Sequence, residues 1–466
     1  MSKIELIGFE GRPIRINTGL FINNEFQLAT GGSQLEVENP TTGSVLASVS
    51  AAQRQDVDAA VSAAILALQG PWLTVTPTRR GQLLNRLADL IERDADDLAS
   101  LEALDAGVLF GESKGLHIPQ ATETLRYFAG WADKIAGQLL SIPQGYAYTR
   151  RELLGVCAAV VPWNAPLMIT IWKLAPAIAA GNALIIKTPE LASLFPHGVL
   201  AILCGSSSVA GQALAEHGGV KNIAFTGSAP VGREILRAVA GSNLKKMTLE
   251  LGGKRGIVFS DADLDNAIFW TRLGFTANNG QFLLAFAEKL AHTTPGDPLS
   301  GKTTKGPVIS QRQREKITEY IRHAKESSIR LLAGGDEIPG KGNFVPNATF
   351  ADVPDDARII QEEIFGPVAS IAKFNTEAEV IEEANATEFE LSAAVFTNDV
   401  HRAQRVSEAM ECGQVTVNCW GMLHANTPFG GVKQSGFGRD MGEEALEAWM
   451  STKSVKYFTL PTSDEK

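Results

Sequence analysis

The sequence predicts an α/β fold built on a parallel sheet, and three observations lead there. From Gly155 onward, short apolar runs rich in β-branched residues recur at 156–161, 183–186, 199–203, 223–225 and 247–251, with helical stretches between most of them. The helical stretches carry their own periodicity: Val231, Ile235, Ala238 and Val239 fall on one face of the segment after Ser228. Strands separated in this way are joined as parallel neighbours by crossover helices. The composition, 44% hydrophobic and 20% charged over 466 residues, suits a sizeable core divided among about three domains.

Along the chain, the first 50 residues or so read as short strands and turns. Leu20-Phe21-Ile22 and Phe26 flank Asn23-Asn24, a hairpin signal. Long amphipathic helices follow, with Leu83, Leu87, Leu90 and Ile91 spaced as one helix face. In the alternating region one connection is too short. Between Lys187 and Val199 stand only Thr188 to Gly198, with Pro189 and Pro196 among them. A parallel connection needs about a dozen residues or more, usually helical, and the span between the prolines does not hold two helical turns. An uncovered face on the parallel sheet is the expectation, and with it a tendency to aggregate.

Charge and composition exclude several classes of function. A net charge of −10 without a basic stripe argues against nucleic acid as a partner. The N-terminal Met1-Ser2-Lys3-Ile4-Glu5 lacks the apolar core of a signal peptide. No stretch reads as the roughly 18 apolar residues of a membrane helix. The cysteines at 157, 204, 412 and 419 show neither paired metal spacing nor a disulfide framework, so a reducing cytoplasmic setting is expected.

The motifs occur in a telling order. Pro162-Trp163-Asn164-Ala165-Pro166 follows an apolar strand, and Phe225-Thr226-Gly227-Ser228 follows another. Glu250-Leu251-Gly252-Gly253-Lys254 closes a third. Then come Asn278-Asn279-Gly280-Gln281-Phe282, Glu363-Ile364-Phe365-Gly366-Pro367 and Pro428-Phe429-Gly430-Gly431. In this order, from about Leu20 to Tyr457, the chain resembles the NAD(P)-dependent aldehyde dehydrogenase superfamily. The resemblance implies a Rossmann-like parallel-sheet cofactor domain (1–130 and 152–252), an α/β catalytic domain (253–435) and a small β oligomerisation domain (131–151 and 436–466). It also implies a homodimer or homotetramer, with segments matching 147–151 and 455–460 in an intersubunit sheet. By the same comparison the crossover after Lys187 and the segment after Leu283 each lack roughly fifteen residues, about one helix with its turn. Deletion and misjoined coding segments both leave such gaps.

Oxidising an aldehyde to a carboxylic acid requires a nucleophile, donors for the oxyanion, a hydride acceptor and a base for the hydrolytic water. The resemblance assigns the oxyanion amide to Asn164; capping of the following helix is the competing reading. It assigns the base to Glu250, at the end of an apolar strand where desolvation raises a carboxyl pKa. Lys187 and Glu190 match the pair that holds the adenosine ribose. A carboxylate there repels a 2′-phosphate, which favours NAD over NADP. Gly227 and Ser228, after Phe225, match a pyrophosphate turn at a helix N-terminus. Glu363 and Phe365 match the residues that place the nicotinamide ribose and ring. Val161, Pro162, Trp163, Gly211, Val231 and Leu251 complete the implied cofactor contacts. Met168, Trp172, Phe275 and Leu423 are the expected lining for a small-molecule aldehyde.

The nucleophile is missing. The cysteine that follows Gly-Gln-x in the family is Leu283 here, and no cysteine occurs between 204 and 412. Cys419, beside Asn418, is the one candidate substitute, whereas Cys157 and Cys204 read as core residues within strands.

Overall fold

The computed structural model describes residues 3–187, 196–274 and 293–458. Strand β1 (Leu20–Ile22) and β2 (Glu25–Gln27) form the expected hairpin across Asn23 and Asn24. Both asparagines adopt left-handed φ values, 54° and 61°, which a two-residue primed turn demands. Helix α1 (Arg54–Gln69) opens with a capping box between Gln53 and Asp56. Helix α2 (Pro77–Arg93) is capped by the Thr76 hydroxyl on the Arg79 amide and buries Leu84, Leu87, Ala88 and Ile91. Its buried face is therefore rotated slightly from the expected one, leaving Leu83 and Leu90 half-buried. Helices α3 (Ala95–Ala106) and α4 (Ile118–Trp131) follow, separated by a π-helical turn at Ser113–His117. Strands β3 (Leu139–Ile142) and β4 (Gly145–Leu153) lead into the main sheet.

That sheet contains β5 (Val156–Val160), α5 (Pro166–Ala179), β6 (Ala183–Lys187), β7 (Leu200–Ile202), α6 (Gln212–Glu216), β8 (Asn222–Thr226), α7 (Ala229–Ala240) and β9 (Lys246–Glu250) with their connecting helices. The five strands are parallel in the order β7-β6-β5-β8-β9, and β1 and β2 extend the β7 edge antiparallel. The direction of travel reverses between β5 and β8. Such a reversal opens a crevice at the carboxyl ends of the strands, where ligands of doubly wound sheets bind.

Two smaller three-stranded sheets, β10 (Lys254–Val258) with β14 and β15, and β11 (Arg330–Gly334), β12 (Ala348–Ala351) and β13 (Val368–Ile371), make up the 253–435 region. Strand β14 spans Ser392–Phe396 and β15 spans Gln414–Val417, and a further two-stranded sheet pairs Phe389–Glu390 with Val432–Lys433. Near the C-terminus β16 (Gly436–Phe437) pairs antiparallel with β9, and β17 (Met450–Phe458) pairs with β4 along its whole length, Met450 opposite Leu153 and Phe458 opposite Gly145.

The short connection does not uncover the sheet. β6 and β7 are parallel neighbours, Leu184 opposite Leu200, although residues 188–195 lie outside the described segments. Val57, Ala60, Val61 and Ala64 of α1 pack with Ala183, Ile185, Ala201 and Leu203 on one face. Trp72, α2 and α5 pack with Leu184, Ile186, Leu200 and Ile202 on the other. The expected exposed face is thus overturned for the described residues. Gly198 explains how the loop fits: at φ +80° it lies so close to α1 that a Cβ would sit 2.3 Å from the Ala63 carbonyl oxygen.

Two sequence expectations need correction. Cys204 lies just past β7 rather than inside it, half-buried. And one helical run, Arg54–Thr74, is long and apolar enough by composition to cross a membrane. Its Val57, Ala60, Val61 and Ala64 pack against the sheet, whereas Ile65, Leu66 and Leu73 are exposed. If the Leu200 face is covered, Leu200→Ala lowers unfolding stability by about 2–5 kcal/mol. Chemical denaturation checks this, and a change near zero would restore the uncovered face.

Candidate active site

Glu250 ends β9 with its side chain 3% exposed, and neither carboxylate oxygen is hydrogen-bonded among the described residues. The loop before β16 presses on it: a Cβ on Gly430 would fall 2.6 Å from Oε1. Burial, then the nearby Asp440 carboxylate, pushes the Glu250 pKa well above the ordinary range. Lys173 and Arg439 oppose that shift, as does the Gly431 amide, which leans toward the group without closing a hydrogen bond. Glu250 is therefore a desolvated carboxyl whose surroundings favour its uncharged form, a setting suited to proton transfer when water or a ligand enters.

Lys173 and Asp440 were not among the residues the sequence singled out. They form a buried ion pair, Nζ to Oδ2 2.5 Å. The available signal was Lys173 itself, the single charge in Pro166–Ala179, where every residue is buried. A cation in that setting needs a partner. Asp440 supplies it from two residues past Gly438.

Asn164 lies on the loop between β5 and α5. It is exposed, makes no hydrogen bond among the described residues, and precedes the helix cap, which is Ala165 and has no side-chain bond. The capping alternative is thereby excluded, and the amide is left open to a ligand. Val161 is buried behind it, Pro162 is half-buried, and the Trp163 ring meets Phe365 edge-on at 5.2 Å. Phe365 holds a left-handed φ of 56°. The Glu363 carboxylate lies on Gly252, where a Cβ would be 2.0 Å from Oε1. Trp163, Gly252, Glu363 and Phe365 thus converge beside the Glu-Leu-Gly-Gly turn.

The glycine turn joins the same assembly. Gly227 donates its N–H to the Glu250 carbonyl at 3.0 Å, and the Phe225 ring lies under it, 2.6 Å from where a Cβ would be. Leu251 packs over Gly232 in the first turn of α7. Ser228 caps α7 with no side-chain bond and is exposed, leaving the helix N-terminus to a ligand's negative charge. Val231 is half-buried on that helix.

Lys187 ends β6, its pKa drawn down by burial and raised slightly by the Cys204 sulfur. Gly211 is buried in the π-helical turn before α6. Glu190, Phe275 and Leu283 lie outside the described residues.

Met168 and Trp172 are buried, with the Trp172 ring 5.4 Å from Phe429, and Leu423 packs beside the same cluster. The alternative thiols are unpromising as nucleophiles. Burial raises Cys419, with Thr416 partly offsetting it, and raises Cys412 to about 11 and Cys157 further. Among the described residues no cluster of potential metal ligands occurs.

The pKa of Glu250 carries a sign that can be checked. A carboxyl raised on folding destabilises the fold once pH exceeds its unfolded value, and the loss grows until pH passes the folded value. Glu250→Gln removes that loss. The variant should melt higher than the parent at pH 8, with the gap closing as pH falls toward the ordinary carboxylate range; equal melting temperatures throughout would mean the carboxyl is solvated.

Comparison with known proteins agrees with this geometry. The profile of the aldehyde dehydrogenase family matches residues 27–455. An aldehyde dehydrogenase of Alternaria alternata is 44% identical over 470 residues, covering 94% of this chain and 95% of the relative. Retinal dehydrogenase 2 of Rattus norvegicus is 42% identical over 490 residues, covering 98% and 95%. The NAD+ complex of an aldehyde dehydrogenase from Bacillus cereus superposes with a TM-score of 0.93 at 36% identity, covering 96% and 97%. The Alternaria alignment spans 470 positions but draws on 94% of the 466 residues here, so about thirty positions are filled in the relative alone. Two connections each shorter by roughly fifteen residues agree with that.

Proposed function

Since the chain belongs to the aldehyde dehydrogenase family, we propose that its site is built to oxidise an aldehyde to a carboxylic acid with NAD, and that in this chain the covalent step is disabled. The observation that carries the reading is the buried Glu250 at the end of β9, without a hydrogen bond among the described residues, together with the open Asn164 amide on the loop after β5 of the same sheet. Asn164 would donate to the oxyanion as the carbonyl carbon becomes tetrahedral. Glu250 would take a proton from the attacking water and return it afterwards. NAD, when bound, supplies the hydride acceptor. The fit of the chain to that cofactor rests on the cradle where side chains would intrude: Gly252 under Glu363, Gly227 over Phe225, and the open amides at Ser228. Lys187 with Glu190 would hold the adenosine ribose, and the acidic member makes NADP the poorer ligand. The buried Met168 and Trp172 favour an apolar aldehyde.

What fails is attack. A carbonyl carbon needs an electron pair from a nucleophile, and a leucine side chain at 283 has none to give. That substitution also favours a second reading: a catalytically silent family member that binds nucleotide or a partner and serves as a structural oligomer. A homodimer or homotetramer is supported by the exposed β3-β4-β17 sheet, whose Leu139, Tyr146 and Phe458 face outward. Four free thiols support a cytoplasmic setting.

Two measurements test the proposal. With NAD and a panel of aldehydes, the parent should give no NADH absorbance above background, whereas Leu283→Cys should recover turnover. Robust NADH formation by the pure parent overturns the disabled step. In a titration followed by tryptophan fluorescence, NAD should bind weaker than micromolar, because the 188–198 connection is too short for a helix beside the adenine. Micromolar affinity would show that the short loop suffices.

A further inference from the structure

A buried polar cluster behind the crevice belongs to none of the roles above. Glu102, on α3, is 6% exposed. Its Oε2 accepts from the Ser113 hydroxyl at 2.5 Å and from His117 Nδ1 at 2.9 Å, both on the π-helical turn. Its Oε1 reaches a different element and accepts the backbone N–H of Leu167 at 3.1 Å. Leu167 is the second residue of α5, directly after the loop that carries Trp163 and Asn164.

The N-terminus of α5 needs such a partner. The first-turn amides of a helix have no intrahelical acceptor. The local cap, Ala165, has no side-chain oxygen, and Pro166 removes one donor without satisfying the next. A carboxylate at that end also meets the positive pole of the helix dipole. Burial alone would discharge Glu102. The His117 and Ser113 bonds and the Leu167 amide outweigh it and hold the group below its usual range, while His117 is held above its own. A neighbouring acid, Asp105, is raised to about 6 by burial and by the charge of Glu102. From the next helix, the Gln120 amide reaches the Met441 sulfur at 3.4 Å, beside Asp440.

We propose that Glu102 is a positioning residue: from α3 it caps α5 across the interface and thereby fixes the 161–165 loop that presents the Asn164 amide. The inference rests on the reading of Asn164 as an oxyanion donor, but the cap itself does not. It explains why a carboxylate is kept in the core with an imidazole and a hydroxyl on one oxygen and a helix amide on the other.

Hydrogen exchange on the full-length protein tests it. Glu102→Gln keeps the shape and an acceptor but loses the charge; a bond to a charged group is stronger than a neutral one, so peptides covering 161–168 should lose about tenfold in protection. Peptides of α4 and β6 should stay at parent level. The emission of Trp163, isolated by subtracting a Trp163→Phe spectrum, should shift in the same variant. His117→Gln leaves Glu102 in place without its imidazole partner and should loosen the same peptides to a smaller degree, which keeps the test decisive if Glu102→Gln folds poorly. Parent-level protection of 161–168 in both variants, or equal loosening across α3, α4 and α5, overturns the cap. Failure of the Asn164 reading is separate: Asn164→Ala would then leave the turnover of Leu283→Cys unchanged while the exchange result stands.

Discussion

A charge buried beneath α5 sets the terms for the whole site. Lys173 is enclosed in a helix with every residue buried, and an ammonium there costs several kcal/mol unless it is paired. Asp440 provides the pair. Meeting it draws the segment before β16 across the end of β9, and Gly430 comes to rest against Glu250. The water that would otherwise solvate Glu250 is excluded, so its carboxyl is raised by burial and again by the charge of Asp440. One ion pair thus ties a C-terminal loop to α5 and sets charges of both signs near a buried carboxyl on a different element.

The same helix carries the opposite wall. Its N-terminus projects Asn164 and is held from behind by Glu102, while its middle carries Lys173. Movement of α5 would displace both the oxyanion side and the acid–base side together. Packing of α5 against α2 and α4 on one side and the sheet on the other resists such movement. The crevice lies where the parallel order reverses between β5 and β8, so both walls are anchored to the most buried strands of the molecule.

Against this preserved framework, the two shortened connections have unequal consequences. The one between β6 and β7 leaves register and burial intact, because α1, α2 and α5 already cover both faces and Gly198 lets the loop press on α1. A sheet holds its strands through ladder hydrogen bonds and side-chain burial rather than through any single crossover. The change at 283 is different in kind. A leucine side chain has no lone pair, and burial raises the pKa of Cys412 and of Cys419.

How much was legible beforehand follows the range of the interactions. The sequence alone determined the parallel strands, the Asn23–Asn24 hairpin, the glycine turn after β8 and the absence of sulfur at 283, because periodicity, turn chemistry and residue identity are local properties. Two local inferences failed at their edges. The buried face of α2 is turned toward Leu84, and Cys204 lies past its strand, since tertiary packing chooses among residues that periodicity leaves equivalent. The cover over β6 and β7 was misjudged because it comes from α1, more than a hundred residues earlier. Only the tertiary structure decided the Lys173–Asp440 pair, the desolvation of Glu250 and the Glu102 bond to Leu167. Each joins residues far apart in the chain, and the energy of a buried charge depends on what the fold brings within a few ångströms of it.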